Sequence, residues 1–368
     1  MIVNRLEHSK KIFSNTNWAS TKDIVTGDIK NKFSPILTLD LTEKCNYFCD
    51  YCVDKKNINK SKARELRWDF LKVFLPEIRT IGCRCIEVTG GGEPTLYTNF
   101  KEFLTLASEL GFHLALVTNG SMLDKYIDSI SASSIDWIRV SLDSACENTH
   151  KRVHSIEKNI FGNIIGSIEK LSKTQTVGIS FIIREDNFNE IYSAAKISKS
   201  IGAKYIEFKP LLDKKNVFAQ NFDKDYVSQE LERCKADLNN EYFEVVITDS
   251  IKSLLNDSQD KFDCNSKKYN TCFSCYYRTV LTPSGLYPCS YFRGSEYNIK
   301  NIKCAQDVIN ARNALIKCVQ PNRHCKNYCA RSKLNDLVLE LWGISIKNKN
   351  LFELMGWPVD YGDDWVWL

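Results

Sequence analysis

The chain has 368 residues, 43% of them hydrophobic, with 50 basic and 45 acidic side chains and a formal net charge of +5. This is length for about two to three domains, each with a buried core. No Lys/Arg run is long enough for a nucleic-acid footprint and no apolar run reaches transmembrane length, so neither a nucleic acid nor a membrane is an expected partner. The segment Met1-Ile2-Val3-Asn4-Arg5 lacks the apolar stretch of a signal peptide. A cytoplasmic location is therefore expected, where fifteen cysteines read as metal ligands rather than as a disulfide framework.

Residues 1–34 are polar and weakly patterned, an N-terminal extension. Apolar runs then alternate with helical patterns. Strands are predicted at Ile36–Leu41, Ile86–Thr89, Leu114–Thr118, Trp137–Ser141, Val177–Ile183 and Tyr205–Phe208. Between them, Leu66, Phe70, Val73, Phe74 and Ile78 form one helical stripe, and Phe100, Phe103, Leu104 and Ala107 another. This alternation is the pattern of βα units around a parallel sheet, an α/β fold over residues 35–215. Residues 216–262 read as a connecting segment with a helix over 223–240. Residues 263–332 form a small cysteine-rich domain, and residues 333–368 a helix (Leu334 to Trp342) followed by an aromatic tail. Trp357, Trp365 and Trp367 in that tail are expected to pack on the barrel.

The most informative motif is Lys44-Cys45-Asn46-Tyr47-Phe48-Cys49-Asp50-Tyr51-Cys52. Three thiolates on one short loop suit three irons of a 4Fe–4S cluster and leave the fourth iron open to a ligand. A structural zinc site needs four ligands in paired spacings, which the triplet alone lacks. Gly90-Gly91-Gly92-Glu93-Pro94 follows, where missing Cβ atoms let backbone approach a ligand and Pro94 fixes the exit.

The ordered series CxxxCxxC, GGEP, Val117-Thr118-Asn119-Gly120, Val140-Ser141-Leu142-Asp143 with His150 and Arg152, Ile182-Ile183-Arg184 with Asn187, and Tyr205 to Pro210 resembles the radical S-adenosylmethionine (SAM) superfamily across roughly residues 35–212. The resemblance implies a partial (β/α)6 barrel; six repeats are too few for an eight-fold one. It also implies a cluster on Cys45, Cys49 and Cys52 that binds and reductively cleaves SAM. Its implied SAM site comprises Tyr51 against the adenine, Gly91, Gly92 and Glu93 at the amino group, Ser141 and Arg184 at the ribose or carboxylate, and Asp143, Thr118 and Asn119 beside them. His150 and His154 are left without a role.

A second cysteine field holds Cys264, Cys272, Cys275, Cys289, Cys304, Cys318, Cys325 and Cys329. The turn Pro283-Ser284-Gly285 signals a hairpin that returns Cys289 to Cys272 and Cys275. This resembles the SPASM/twitch auxiliary-cluster region and implies one or two auxiliary 4Fe–4S clusters, with Cys318, Cys325 and Cys329 as further ligands; a zinc ribbon is the alternative. The Cys-x2-Cys-x13-Cys spacing is shared with GTP 3′,8-cyclases, but Trp365-Val366-Trp367-Leu368 stands where those end in Gly-Gly. Ser290 stands where sulfatase-maturing relatives have an acid. Cys83, Cys85, Cys146 and Cys234 are expected to be buried and structural.

The resemblance implies hydrogen abstraction from an unactivated C–H bond, giving oxidation, cross-linking or epimerisation. The substrate is a peptide or protein, or a small polar molecule such as a sugar or aminocyclitol. Residues 1–34 are shorter than a leader-binding domain, which weakens the leader-guided peptide case. An external donor such as flavodoxin or ferredoxin supplies electrons. A non-catalytic iron–sulfur carrier is the alternative, against which the SAM-contact series speaks.

Overall fold

The structure, a computed structural model, describes residues 15–55, 58, 63–211, 221–256, 267–325, 329 and 331–347. Its centre is a nine-stranded sheet: β1 (Ile36–Asp40), β2 (Cys85–Thr89), β3 (His113–Thr118), β4 (Ile135–Ser141), β5 (Thr176–Ile183), β6 (Tyr205–Pro210), β7 (Glu244–Ile247), β8 (Arg278–Thr282) and β9 (Gly285–Tyr287). The order is β7-β6-β5-β4-β3-β2-β1-β8-β9, parallel throughout except for the β8–β9 hairpin. The six predicted strands are the partial barrel. β7 adds a seventh parallel strand within the stretch read as a connecting segment, whose helix forms at Lys224–Leu238. The hairpin of the cysteine-rich region continues the same sheet beside β1.

Alternation along each strand separates two faces. Leu37, Leu39, Ile86, Val88, Ile138, Val140, Ile179, Phe181, Ile206 and Phe208 are buried in one continuous core. Crossover helices such as Trp68–Thr80 and Phe100–Glu109 pack into that core through Leu71, Phe74, Leu75 and Ile78, and through Phe100, Phe103, Leu104 and Ala107. Val73 departs from the expected stripe and is 69% exposed, because the helix starts at Trp68 and turns Leu71 and Leu75 inward instead.

The opposite face lines the barrel interior. Ile36, Cys85 and Ala115 on it join a second cluster with Trp18, Ile24, Val25, Ile29, Leu334, Val338 and Leu341. Residues expected to be a patternless extension thus form the helix Asn15–Thr26, which meets the helix Ser332–Lys347 and closes one end of the barrel. The three tail tryptophans and Cys264 lie outside the described residues.

Candidate functional site

The cluster loop leaves the C-terminal end of β1, the end where parallel barrels gather reacting groups. Cys45, Cys49 and Cys52 are partly exposed free thiols on it. The glycine run pairs with this loop through its backbone: Gly92 N–H donates to Thr42 O (3.0 Å) and Glu93 N–H to Lys44 O (2.7 Å). A Cβ at Gly92 would stand 2.0 Å from Lys44 O, and one at Gly90 would stand 1.6 Å from Gly92 O. A Cβ at Gly91 would meet only Asp40 Oδ2, at 3.6 Å. Gly90 and Gly92 therefore secure the loop, while Gly91 leaves the open edge.

Glu93 is 2% exposed. Its Oε1 accepts from Thr95 N–H (3.1 Å), Thr95 Oγ1 (2.6 Å) and Thr118 Oγ1 (2.6 Å), and its Oε2 from Asn119 N–H (2.7 Å). Glu93, Thr118 and Asn119 together bind the glycine run to the end of β3. Asn119 Nδ2 also donates to Asn46 Oδ1 (2.9 Å), and Asn46 Nδ2 to Ser121 Oγ (2.8 Å), so β3 holds the loop beside Cys45.

A second clamp comes from β4 and β5. Asp143, at a left-handed φ of 54° and 1% exposed, accepts from Tyr51 Oη (2.7 Å) and from Ile182 N–H (2.6 Å). Arg184 donates to Asp50 Oδ1 (2.8 Å) and lies over the Tyr51 ring at 4.7 Å. Asp50 is held below the usual carboxylate range, chiefly by the Arg184 hydrogen bond. Ser141 stays half-buried on the inner face, paired in register with Ser180. Of the proposed SAM contacts, Gly91 and the half-buried Ser141 stay outside this network; Gly92 packs on the Lys44 backbone, and Tyr51, Glu93, Thr118, Asn119, Asp143 and Arg184 use their polar groups to hold the cluster loop.

His150 and His154, four apart on the helix Glu147–His154, complete the clamp. His150 Nε2 meets Tyr47 Oη at 3.0 Å and its Nδ1 meets Leu142 O at 3.1 Å. His154 Nδ1 meets Cys49 Sγ at 3.2 Å and its Nε2 meets Leu142 O at 3.1 Å. Burial pushes both imidazoles down to about 4, so both are neutral at pH 7. Their i, i+4 spacing was the sequence signal for this pairing. Burial also pushes Cys45 up to about 11 and Cys49 up to about 12. Neighbouring thiolates need a positive charge among them, which iron supplies. The donor set fits a cluster bound by three thiolates.

In the second field, the hairpin does return Cys289 toward Cys272 and Cys275, and Cys275 Sγ lies 3.3 Å from Pro288 O. Cys289 is pushed up to about 12, first by burial and then by the charges of Cys272 and Cys329. Cys325 feels Cys272, Cys289 and Cys329. Five thiols thus share one region: Cys272, Cys275, Cys289, Cys325 and Cys329. Cys318 is exposed at the end of the helix Ala305–Cys318 and does not join their electrostatic neighbourhood. Among the described residues, no three His, Cys, Asp or Glu side chains stand at the spacing of one shared ion. Five thiols are donors enough for one four-iron cluster or one tetrahedral zinc.

Arg312 stands beside this field and donates to Ile29 O (2.8 Å), Ser34 Oγ (3.3 Å) and Asn313 Oδ1 (3.3 Å). It is 1% exposed, has no ion pair with a described carboxylate, and its Nε is an orphan. It lies 5.2 Å from the Tyr276 ring centroid and is pushed down to about 10 by burial, against the pull of Tyr276 and Cys275. A buried cation without a carboxylate fits an anionic cluster on Cys275. Cys83, Cys85 and Cys234 are buried as expected, whereas Cys146 is exposed at the start of its helix, 3.5 Å from Glu190 Oε1.

Arg293 joins the two fields. From the segment after Cys289 it donates to Asp40 (2.6 and 2.8 Å) and to Thr89 Oγ1 (2.8 Å), and stands 3.6 Å from Asp54. It borders a small cleft with Gly91, Asp54 and Tyr287. No local sequence signal marks it, because its partners are more than two hundred residues away.

Among the described residues, no helix is long and apolar enough to cross a membrane. The GTP 3′,8-cyclase of Aliarcobacter butzleri (strain RM4018) is 26% identical over 319 residues, 82% of this chain and 93% of that one. Streptococcus suis SuiB bound to S-adenosylmethionine shares the fold at TM-score 0.60 and 12% identity, over 80% of this chain and 69% of that one. Native anSMEcpe with bound AdoMet and Cp18Cys peptide does so at TM-score 0.57 and 14% identity, over 87% and 99%. The Radical SAM superfamily model matches residues 39–197, so the strands and loops that build this site form a radical SAM domain.

Proposed function

We propose that this protein is a SPASM- or twitch-type radical SAM enzyme that oxidises, cross-links or epimerises an unactivated C–H position. Its substrate is a peptide or a small polar molecule. The observation that carries the reading is the cluster loop itself: three half-buried thiols held from β3 by Asn119 and from β4 and β5 by Asp143 and Arg184, with Gly91 open beside them. With a 4Fe–4S cluster and SAM bound there, the chemistry supplied is reductive SAM cleavage and hydrogen-atom abstraction by the 5′-deoxyadenosyl radical. Ser141 and the Gly91 edge are the groups left to meet SAM. The buried clamp fixes the loop and shields it from water. Cys272, Cys275, Cys289, Cys325 and Cys329 are the donors for an auxiliary cluster, which accepts an electron from the substrate or anchors it. A flavodoxin or ferredoxin in the cytoplasm is the proposed electron source.

SuiB was solved bound to a precursor peptide, SuiA, and anSMEcpe with a Cp18Cys peptide, which supports a peptide substrate. The cyclase relative favours a second reading, cyclisation of GTP. The test is anaerobic reconstitution with SAM and dithionite. Formation of 5′-deoxyadenosine is expected; its absence in iron-replete protein would leave an iron–sulfur carrier. Conversion of added GTP would select the second reading.

A further inference from the structure

Charged side chains line the barrel interior. Arg278 on β8 donates to Glu87 on β2 at 2.8 Å, while Arg139 on β4 and Lys209 on β6 stand 3.5 and 2.6 Å from Glu207. At the mouth, Arg293 stands between Asp40, the last residue of β1, and Asp54, two residues beyond Cys52. It donates two hydrogen bonds to Asp40 and a third to Thr89, the last residue of β2. The side chains of Arg293, Asp40 and Asp54 are 9%, 1% and 6% exposed, and the Glu87 charge acts on Arg293 as well. Moving Arg293 would therefore strand buried charge at the foot of the cluster loop.

By its chain, Arg293 belongs to the second cysteine field. One tight turn, Ser290–Phe292, separates it from Cys289. Phe292 N–H donates to Cys289 O (3.1 Å) and Arg293 N–H to Ser290 O (3.3 Å), so thiol and guanidinium ride on the same turn. Leu286 and Ile299 close the base of this loop by exchanging hydrogen bonds at 2.8 and 3.0 Å. The turn between β8 and β9 meets the other foot of the cluster loop. Ser284 Oγ donates to Glu43, two residues before Cys45, and accepts from Arg64 Nη2 at 2.5 Å. The loop of Cys45, Cys49 and Cys52 is thus held at its entry and at its exit by the module that carries Cys289.

We propose that Arg293 is a positioning residue that couples the two cysteine fields. Metal bound at Cys289 fixes the turn, the turn fixes Arg293, and Arg293 holds the exit of the cluster loop at Asp54. Filling the second field therefore strengthens retention of the cluster in the first. By linkage the effect runs equally in the other direction, and couplings of this kind are typically about 5- to 150-fold in affinity. The inference rests on the radical SAM reading for the first field and on a metal of either kind, iron cluster or zinc, at the second.

The test exposes anaerobically reconstituted full-length protein to increasing concentrations of an iron chelator. Loss of the first cluster is followed through the reduced electron paramagnetic resonance signal that shifts when SAM is added. Cys272→Ser with Cys275→Ser empties the second field and leaves residues 289–293 unaltered. Its first cluster should be half lost at about tenfold less chelator than in wild type. Asp54→Asn leaves Arg293 seated on Asp40 and cuts only its link to the cluster loop, so it should be about as sensitive. Adding the two serine changes to Asp54→Asn should then cost at most about a further twofold, the mark of one shared route. Arg293→Lys, which keeps the charge, should fall between wild type and Arg293→Met. Equal sensitivity of wild type and the double-serine protein, or full additivity of the serine and Asp54→Asn changes, would overturn the coupling. So would wild-type protein that binds no metal at the second field. A signal that never shifts with SAM, wild type included, would instead remove the radical SAM reading itself.

Discussion

Replacing Gly92 by alanine tests how the glycine run works. The added Cβ would stand 2.0 Å from Lys44 O and 2.6 Å from Lys44 C, which are backbone atoms without a rotamer to turn away. That is roughly 1.5 Å inside ordinary contact, so the cluster loop must move by about that much. The move breaks the Gly92–Thr42 and Glu93–Lys44 hydrogen bonds next to Cys45. Two such bonds, together with overpacking against rigid backbone, amount to on the order of 3 kcal/mol, a local shift of roughly a hundredfold. Gly91→Ala is the internal control, because its Cβ meets only Asp40 Oδ2 at an ordinary 3.6 Å. After anaerobic reconstitution, Gly92→Ala should lose about four irons and the signal of the SAM-binding cluster while keeping the auxiliary irons. Gly91→Ala should keep all its iron and weaken SAM binding alone. Wild-type iron in Gly92→Ala, or iron loss in Gly91→Ala, would refute the division of labour drawn from these distances.

Alanine at Cys45, Cys49 and Cys52 together should remove one cluster and all 5′-deoxyadenosine; wild-type protein should hold about eight irons with one auxiliary cluster and about twelve with two, whereas about four irons with stoichiometric zinc would make the second field a zinc module. In iron-free protein, the unfolded chain protonates His150 and His154 below about 6.5 while burial holds the folded imidazoles neutral down to about 4. Its stability should therefore be present above pH 6.5 and fall toward pH 4 with a slope of up to two protons, read from urea midpoints; a flat profile would contradict the buried pair. Arg312→Leu removes a buried cation beside Cys275 and its hydrogen bonds to Ile29 O and Ser34 Oγ, so iron-free protein should lose about 1–3 kcal/mol while the proposed auxiliary cluster binds less tightly and its midpoint potential becomes more negative. Unchanged iron and potential would separate Arg312 from the cluster.

The sequence disclosed most where the pattern is local. The inner parallel strands are buried on both faces and read as apolar runs, and the cysteine triplet is a spacing within one loop. β7 escaped because Glu244–Ile247 is four residues long and follows a dominant helical stretch. Partners were less legible than residue types. Asp143 and Arg184 were recognisable as strand-end polar groups, but the left-handed turn at Asp143 that aims it at Tyr51 and Ile182 N–H is a backbone property with no composition signal. Cys318, Cys325 and Cys329 look equivalent in sequence, yet Cys318 rides on the preceding helix and stays exposed. The charged interior was visible in principle, since Glu87, Arg139, Glu207 and Lys209 recur at alternate positions of otherwise apolar strands, but only the sheet order shows which of them meet.

That sheet order also explains how the second cysteine field is fixed relative to the first. β8 pairs in parallel with β1, so the auxiliary hairpin extends the barrel sheet instead of being tethered to it by a linker. Three of its cysteine segments each carry an arginine toward the barrel. Arg278, shortly after Cys275, reaches Glu87 in the interior, and Arg293, after Cys289, reaches Asp40 and Asp54 at the mouth. Arg331, after Cys329, acts on both Glu87 and Arg278. The Arg278 and Arg293 pairs are buried, and breaking one would strand carboxylates inside the barrel at a cost of about 3–5 kcal/mol. A module held this firmly is poor as an independent electron carrier, which must dock and leave. In the proposed function, the same rigid link would give an electron released after hydrogen abstraction a fixed destination on the second thiol field.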